Sequence, residues 1–167
     1  MSSRVIVSRH PAAIEFVAAQ LGREAGCQAE YIPAGSRVEF YVPAGTYPGP
    51  DFPTSVPVLT QATPDDVRGR VVYGNLPMHL AALAAEVHVI EFEGTPPRGQ
   101  EYTLADMVAA GAVIRQYKVL DRAGVESLQT AAHADGYGPP PWCLLHFADE
   151  PNPHATGSAG SQALVIK

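Results

Sequence analysis

The chain has 167 residues, enough for one domain that buries roughly 70% of the surface exposed by its unfolded form. Its net charge of −6 argues against binding of polymeric nucleic acid, which needs basic surfaces, although a few local cations can still hold a small anion. Cys27 and Cys143 form no metal-like or redox-like pair, and we find neither a secretory leader nor an apolar run of about 20 residues, so we expect a cytoplasmic protein without membrane contact.

The first part of the chain predicts strands and one long helix. The predicted strands are 4–8, 28–32 and 37–42, and the predicted helix runs from Pro11 to about Leu21, where apolar residues recur at helical spacing. Five prolines between Pro43 and Pro57 then predict a loop. We treat residues 43–62 as a proline-rich excursion from the main domain.

The middle of the chain alternates helices and strands. The predicted helices begin at Thr63, span Pro77–Ala85 and begin at Thr103, and the predicted strands are 70–73, 87–92 and 112–119. Asp106 stands three residues after Thr103, where a capping box places its acceptor. A helix between strands 70–73 and 87–92 leaves no room for a hairpin, so these strands should be parallel. Residues 1–120 therefore predict an α/β domain of the doubly wound class, with a mostly parallel sheet flanked by helices.

Residues 121–167 differ in character, and we treat them as a C-terminal extension. The segment 121–134 predicts a helix, and 142–147 and 163–166 are strand candidates separated by a stretch rich in proline, glycine and serine. The pattern is compatible both with packing of this extension on the main domain and with a contact to a partner.

Polar residues gather at two strand-to-helix junctions. The first reads Ser8-Arg9-His10-Pro11, and the second reads Gly74-Asn75-Leu76-Pro77, followed by His79. In open α/β sheets, ligands bind outside the carboxyl ends of the strands, where helix N-termini offer free N–H groups and the positive end of the helix dipole. The two junctions therefore predict a site for a phosphorylated ligand.

Arg9 and His10 are the candidates for chemistry at this site. Arginine offers a permanently charged fork for phosphate, and histidine transfers protons near neutral pH. In the alternative interpretation, Arg9 pairs with an acidic side chain and His10 only begins the helix with its ring in water.

The other candidates are ligand contacts rather than reacting groups. Gly74 allows a close backbone approach and Asn75 offers both a donor and an acceptor, although the same dipeptide is common in ordinary turns. Arg98 and Gln100 follow a strand on the same sheet edge, where they either contact the ligand or belong to a solvated loop. His79 either meets an anion at its helix end or lies half-buried at the surface.

The sequence predicts no metal and no cofactor. The remaining histidines show no spacing or carboxylate companion typical of a metal site; they are His88, His133, His146 and His154. The alternation of His88 with its apolar neighbours predicts a solvent-facing position. The commonest hydrolase, NTPase and dinucleotide motifs are missing from the chain.

Three motifs, taken together in order, resemble a known family. They are SRHP at residues 8–11 with IEF at 14–16, GNLPMHLAA at 74–82, and PRG at 97–99 with QEYTLADM at 100–107 and GA at 111–112. This arrangement resembles the CRISPR-associated Csx family of the sixteenth subtype, small accessory proteins of type III CRISPR systems. The resemblance covers residues 4–22 and 69–119.

The resemblance implies a Rossmann-like fold related to the CARF domains that sense cyclic oligoadenylates, and a ring nuclease activity. Such an enzyme cleaves cyclic tetra-adenylate to linear di-adenylate and so switches off antiviral signalling. The chemistry needs no metal, because a ribose 2′-hydroxyl attacks the adjacent phosphate, and the symmetry of the ligand favours a homodimer. In this interpretation Arg9 neutralises phosphate charge, His10 transfers or orients a proton, and Asn75 holds the ribose-phosphate.

Two alternatives from other functional classes stand beside this one. A binding protein would sense or sequester the cyclic messenger without cleaving it, using the same arginine and helix end. An interaction protein would instead dock a partner through the 43–57 loop and the C-terminal extension, with a vestigial cleft.

Overall fold

The computed structural model describes residues 3–44, 53–94, 101–134 and 163–166, which form one sheet of eight strands and five α-helices. The strands are β1 (Arg4–Val7), β2 (Gln28–Ile32), β3 (Arg37–Tyr41), β4 (Ser55–Leu59), β5 (Val71–Tyr73), β6 (Glu86–Phe92), β7 (Ala112–Asp121) and β8 (Ala163–Ile166). The helices are α1 (Pro11–Ala25), α2 (Pro64–Val67), α3 (Met78–Ala81), α4 (Leu104–Ala109) and α5 (Arg122–Ala134). A 3₁₀ turn, Pro33–Gly35, joins β2 to β3.

The sheet is parallel in its centre and antiparallel at both ends. Its strand order is β2-β3-β4-β1-β5-β6-β7-β8. The neighbouring pairs among β4, β1, β5 and β6 are parallel, which includes the predicted parallel pairing of β5 with β6. The outer pairs are antiparallel. The predicted α/β class is therefore confirmed, and the architecture is consistent with a Rossmann-like fold, although the sheet as a whole is mixed.

Helices cover both faces of the sheet. Helix α1 packs through Val17 and Leu21 on the face that carries Ile6. Helix α3 packs through Leu80 on the opposite face, which carries Val5. Because successive residues of a strand point to opposite faces, β1 contributes to both layers of the core and stands at the centre of the domain.

Helix α1 begins at Pro11 as predicted but continues to Ala25, beyond the predicted end at Leu21. It ends where Gly26 adopts a left-handed conformation with φ of 65°, which lets the N–H of Cys27 donate to the carbonyl of Gly22 at 2.9 Å. Among the residues that the structure describes, no helix is both long enough and apolar enough to span a bilayer.

The prediction of a loop through Pro57 is wrong at its end, because β4 begins at Ser55 and lies between β3 and β1. Val56 and Val58 are buried, whereas Pro57 between them is exposed. The N–H of Val58 donates to the carbonyl of Ser36. Because backbone groups of successive residues point to opposite sides of a strand, the backbone nitrogen of Pro57 points away from β3 and toward β1. Since pairing with β1 starts only at Val58, the proline removes no hydrogen bond from the sheet.

The predicted helix from Pro77 to Ala85 is too long. Helix α3 spans only Met78–Ala81, and Pro77 is its N-cap rather than its first helical residue. The chain leaves the helix because the N–H of Ala85 donates to the carbonyl of Arg70 at 2.8 Å, which aligns the start of β6 beside β5. Tertiary hydrogen bonds therefore override the helix preference of this alanine-rich segment.

Parts of the predicted extension belong to the ordered fold. Helix α5 and strand β8 occupy the segments predicted as a helix and a strand, and β8 pairs antiparallel with β7. Residues 163–166 thus complete one end of the sheet. The other strand candidate, 142–147, lies outside the described residues.

Candidate functional site

A cleft of about 410 Å³ opens at the carboxyl ends of the central parallel strands. Its walls come from the turn between β1 and α1, the turn after β5, the end of β4, the end of β6 and the two residues 101–102 that precede α4. Its volume lies within the range of about 300–1,000 Å³ that is typical of small-molecule sites.

The topology explains why the cleft lies here. After β1 the chain crosses through α1 toward the β2 end of the sheet, and after β5 it crosses through α3 toward the β8 end. These connections diverge between two adjacent strands and pack on opposite faces of the sheet. Such a switch point leaves open a crevice in which α/β proteins bind their ligands.

The mouth of the cleft carries Arg9, His10 and Glu101. Nδ1 of His10 lies 3.4 Å from Oε2 of Glu101, and the two side chains are 61% and 74% exposed. Arg9 is exposed and has no hydrogen bond or ion pair with any residue that the structure describes. An exposed pair such as His10–Glu101 adds little to the stability of the fold.

Backbone hydrogen bonds fix the turn that presents these side chains. The N–H of Ser8 donates to the carbonyl of Leu59 at 3.0 Å, and the N–H of His10 donates to Oγ of Ser8 at 3.1 Å. The first contact ties the end of β1 to β4. The second occupies one acceptor position of the Ser8 hydroxyl, which we predicted as a ligand contact and which lines the cleft while shaping the turn.

The N-terminus of α1 opens toward the same cleft. His10 is the N-cap residue, but its side chain does not cap the helix, and the first turn contains no acidic residue. Ala12 and Ala13, in that first turn, line the cleft. The partial positive charge at the start of this 15-residue helix is therefore not neutralised by its own side chains.

Gly74 forms part of the opposite wall, and its backbone requires glycine. Its φ is 135°, and a β-carbon at this position would overlap the carbonyl oxygen of Val7. Its N–H donates to the carbonyl of His88 at 2.8 Å. The close approach that we predicted for Gly74 therefore occurs against the backbone of β1, and the missing side chain leaves room for the ends of β1 and β5 to lie close together.

Of the ten predicted site residues, the cleft brings together five, and three others that the structure describes lie outside its lining. Its lining includes Ser8, Arg9, His10, Gly74 and Asn75. Leu76 packs in the core layer beneath α3, and Pro77 and His79 are exposed outside the lining. Arg98 and Gln100 lie outside the described residues.

The lining also includes residues that were not predicted, among them Thr60, Phe92, Glu101 and Tyr102. Thr60 follows β4, the strand that the prolines concealed. Glu101 and Tyr102 belong to a motif of the family resemblance, but the contact of Glu101 with His10 spans 91 residues and depends on the order of the strands. No local pattern in the sequence indicates it.

His88 does not face solvent as predicted. Its side chain is 17% exposed, its ring lies 4.4 Å from that of Tyr73, and Nε2 lies 3.3 Å from Oε2 of Glu86. The same surroundings bury Tyr73, and this burial raises the pKa of its hydroxyl. His88 is thus a half-buried core residue with a polar partner.

The described part of the chain contains no group of three or more His, Cys, Asp or Glu side chains arranged to hold a metal ion. Comparisons with known proteins add no identification: no protein-family model, curated protein or solved structure matches the chain. The functional assignment therefore depends on the residues and on the geometry of the cleft.

Proposed function

We propose that this protein binds a cyclic oligoadenylate, cyclic tetra-adenylate in particular, and cleaves it as a metal-independent ring nuclease. The substrate class follows from the resemblance to the CRISPR-associated Csx family of the sixteenth subtype, with its relation to CARF domains. The observation that carries the proposal is the convergence of Arg9, the N-terminus of α1 and the His10–Glu101 pair at one cleft.

Phosphate binding is supported by two sources of positive charge. The Arg9 guanidinium is not engaged by an acidic side chain of the described residues, so its donors are available to a phosphate. The first turn of α1 adds the positive end of the helix dipole. These local charges can hold an anion although the whole chain has a net charge of −6.

Ring opening requires one transfer within the ligand. The ribose 2′-hydroxyl loses its proton and its oxygen forms a bond to the adjacent phosphorus, while the bond from that phosphorus to the 5′-oxygen breaks and this oxygen gains a proton. The products carry a 2′,3′-cyclic phosphate at one end and a 5′-hydroxyl at the other. Two such events convert cyclic tetra-adenylate into two linear di-adenylates.

His10 is the group that we assign to proton transfer. Its Nδ1 faces Glu101, so the carboxylate orients the imidazole and leaves Nε2 to exchange a proton with the 2′-oxygen or the 5′-oxygen. Arg9 and the helix terminus stabilise the charge that develops on the phosphate oxygens. We assign hydrogen bonding of the ribose-phosphate to Asn75, which lines the opposite wall.

The proposed role in the cell follows from this activity. Linear products no longer activate effectors that respond to the cyclic messenger, so the protein would switch off type III CRISPR antiviral signalling in the cytoplasm. A symmetric ring is matched by a homodimer in which two clefts face one another across a two-fold axis.

The first test is incubation of the full chain with cyclic tetra-adenylate in excess EDTA, followed by chromatography and mass spectrometry. Linear di-adenylate with a cyclic phosphate end is the expected product. Intact ligand recovered with the protein would make it a sensor or sponge, and ligand that never binds would favour the protein-interaction alternative. Activity that disappears in EDTA would contradict the metal-independent mechanism.

Two variants separate the proposed roles. His10→Ala should slow cleavage by about 10²–10⁴-fold, the range for loss of a general acid or base. Arg9→Ala should mainly weaken binding, whereas Arg68→Ala, which removes an exposed arginine outside the cleft, is the matched control for loss of charge. An unchanged rate in His10→Ala would remove this residue from the chemistry.

A further inference from the structure

Two aromatic rings form one wall of the cleft beside its charged mouth. The rings of Phe92 and Tyr102 have centroids 6.0 Å apart with an angle of 40° between their planes. Both residues line the cleft, and both are only partly buried. On the side away from the cleft, the two rings pack against the core cluster of α1 and α4, which includes Phe16 and Met107. The pair is therefore supported from behind and accessible from the cleft.

The aromatic wall adjoins the charged mouth directly. Tyr102 follows Glu101, whose carboxylate contacts His10 on the other side of the cleft. Ala12 and Ala13 continue the apolar lining from the aromatic pair to the first turn of α1. A ligand with its phosphate at Arg9 would therefore extend its next part toward an apolar and aromatic surface.

We propose that the Phe92–Tyr102 wall is a nucleobase subsite, on which an adenine ring stacks while its phosphate lies at Arg9 and the N-terminus of α1. This inference builds on the proposed function and adds where the base binds and by which force. Bases stack on aromatic side chains whatever their hydrogen-bonding edge, because every base has a π face. The subsite therefore favours ligands with a planar base, because the flat face of the base makes the contact with the aromatic rings.

Calorimetric titration of the full chain with adenosine 5′-monophosphate and with ribose 5-phosphate tests this subsite. The two probes share the phosphate and the ribose and differ in the base. We expect the mononucleotide to bind more tightly, and Tyr102→Leu to weaken its binding by roughly 5- to 150-fold, the range for loss of one base–aromatic stack. Binding of ribose 5-phosphate should be unchanged in this variant.

Matched variants separate stacking from a general effect on the fold. Tyr102→Phe keeps the ring and should retain the affinity for the mononucleotide within about threefold. Phe92→Leu should weaken mononucleotide binding without affecting ribose 5-phosphate. Equal affinities for the two probes in the wild-type protein, an equal loss of both in Tyr102→Leu, or no binding of the mononucleotide would each overturn the subsite.

The subsite and the ring nuclease activity can fail separately. If the mononucleotide binds in a Tyr102-dependent way but cyclic tetra-adenylate is neither bound nor cleaved, the subsite stands and the proposed function is wrong. If cyclic tetra-adenylate is cleaved with the same KM by Tyr102→Leu and by the wild-type protein, the proposed function stands and the subsite is wrong.

Discussion

At the scale of single residues, Gly74 shows how a position predicted for ligand contact acquires a structural requirement. Its positive φ excludes most side chains, and the contact with the Val7 carbonyl excludes any β-carbon. Glycine at this position leaves room for the backbone of β1 beside the end of β5. A substitution here should therefore act on the fold first and on the ligand only as a consequence.

Gly74→Ala is expected to destabilise the protein by about 1–3 kcal/mol, from backbone strain and the displacement of β1. Urea unfolding followed by circular dichroism measures this loss. Gly69→Ala is the matched control, because Gly69 also has a positive φ of 67° but nothing lies within 4 Å of its added β-carbon. Equal losses in the two variants would show that φ alone, and not the contact with Val7, requires glycine.

His10 illustrates what the sequence could predict about the site and what it could not. Its position after a strand and before a proline indicated that it would stand at the mouth of a cleft, and the structure places it there. Its partner, Glu101, is separated from it by most of the domain and meets it only because β6 lies two strands away from β1 in the sheet. The sequence pattern alone did not define that order.

At the scale of elements, the sequence predicted the caps of the short helices, but apart from β5 with β6 it did not predict which strands pair with one another in the sheet. In α4, the N–H and the hydroxyl of Thr103 donate to Oδ2 of Asp106 at 2.9 and 2.8 Å, while the N–H of Asp106 donates to Oγ1 of Thr103 at 3.2 Å. This reciprocal capping box agrees with the prediction made from residue types and spacing. The strand β4 was missed because Pro57 and the prolines before it conceal an alternation that becomes evident only beside β1 and β3.

The α4 cap makes stability depend on pH in a defined direction. Hydrogen bonds from the backbone and hydroxyl of Thr103 favour the charged carboxylate, so they lower the pKa of Asp106 in the folded state. A group whose pKa is lowered by folding contributes stability that is present above its unfolded pKa, about 3.9 for aspartate. This contribution is lost as the pH falls through the lower, folded value.

Asp106→Asn is therefore expected to be less stable than the wild-type protein at neutral pH, with a difference that shrinks as the pH falls below about 4. Urea unfolding of both proteins across this pH range tests the expectation. Asp65→Asn is the control, because Asp65 lies in the first turn of α2 but forms no capping bond within the described residues. A difference that stays constant with pH would exclude the carboxylate as the source.

At the scale of the whole molecule, the position of the cleft follows from the strand order. The alternation of strands and helices predicted the α/β class, because helices between strands force parallel pairing. It did not predict that β4 and β5, which follow one another in the sequence, lie on opposite sides of β1 in the sheet. Because β5 is next to β1, the two predicted junctions lie side by side. Once the order is known, a crevice between β1 and β5 follows from the divergence of α1 and α3.

The presence of one such cleft per chain has a consequence for the ring-shaped ligand that we propose. The mouth of one chain offers one Arg9 and one His10, whereas cyclic tetra-adenylate has four equivalent phosphates arranged around a symmetry axis. Two chains related by a two-fold axis would present two such mouths to opposite phosphates, and each would open one bond. The proposed function therefore predicts a complex of two chains and one ring.

Light scattering and calorimetry on His10→Ala test this stoichiometry, because the variant should bind the ring without opening it. The expected result is a particle with twice the mass of one chain, which binds one cyclic tetra-adenylate per two chains. In Arg9→Ala the affinity should fall because both phosphate contacts of the dimer are lost together, and the stoichiometry should stay the same. One ring bound by each single chain would contradict the symmetric arrangement, since a lone cleft would then have to open both phosphodiester bonds in succession.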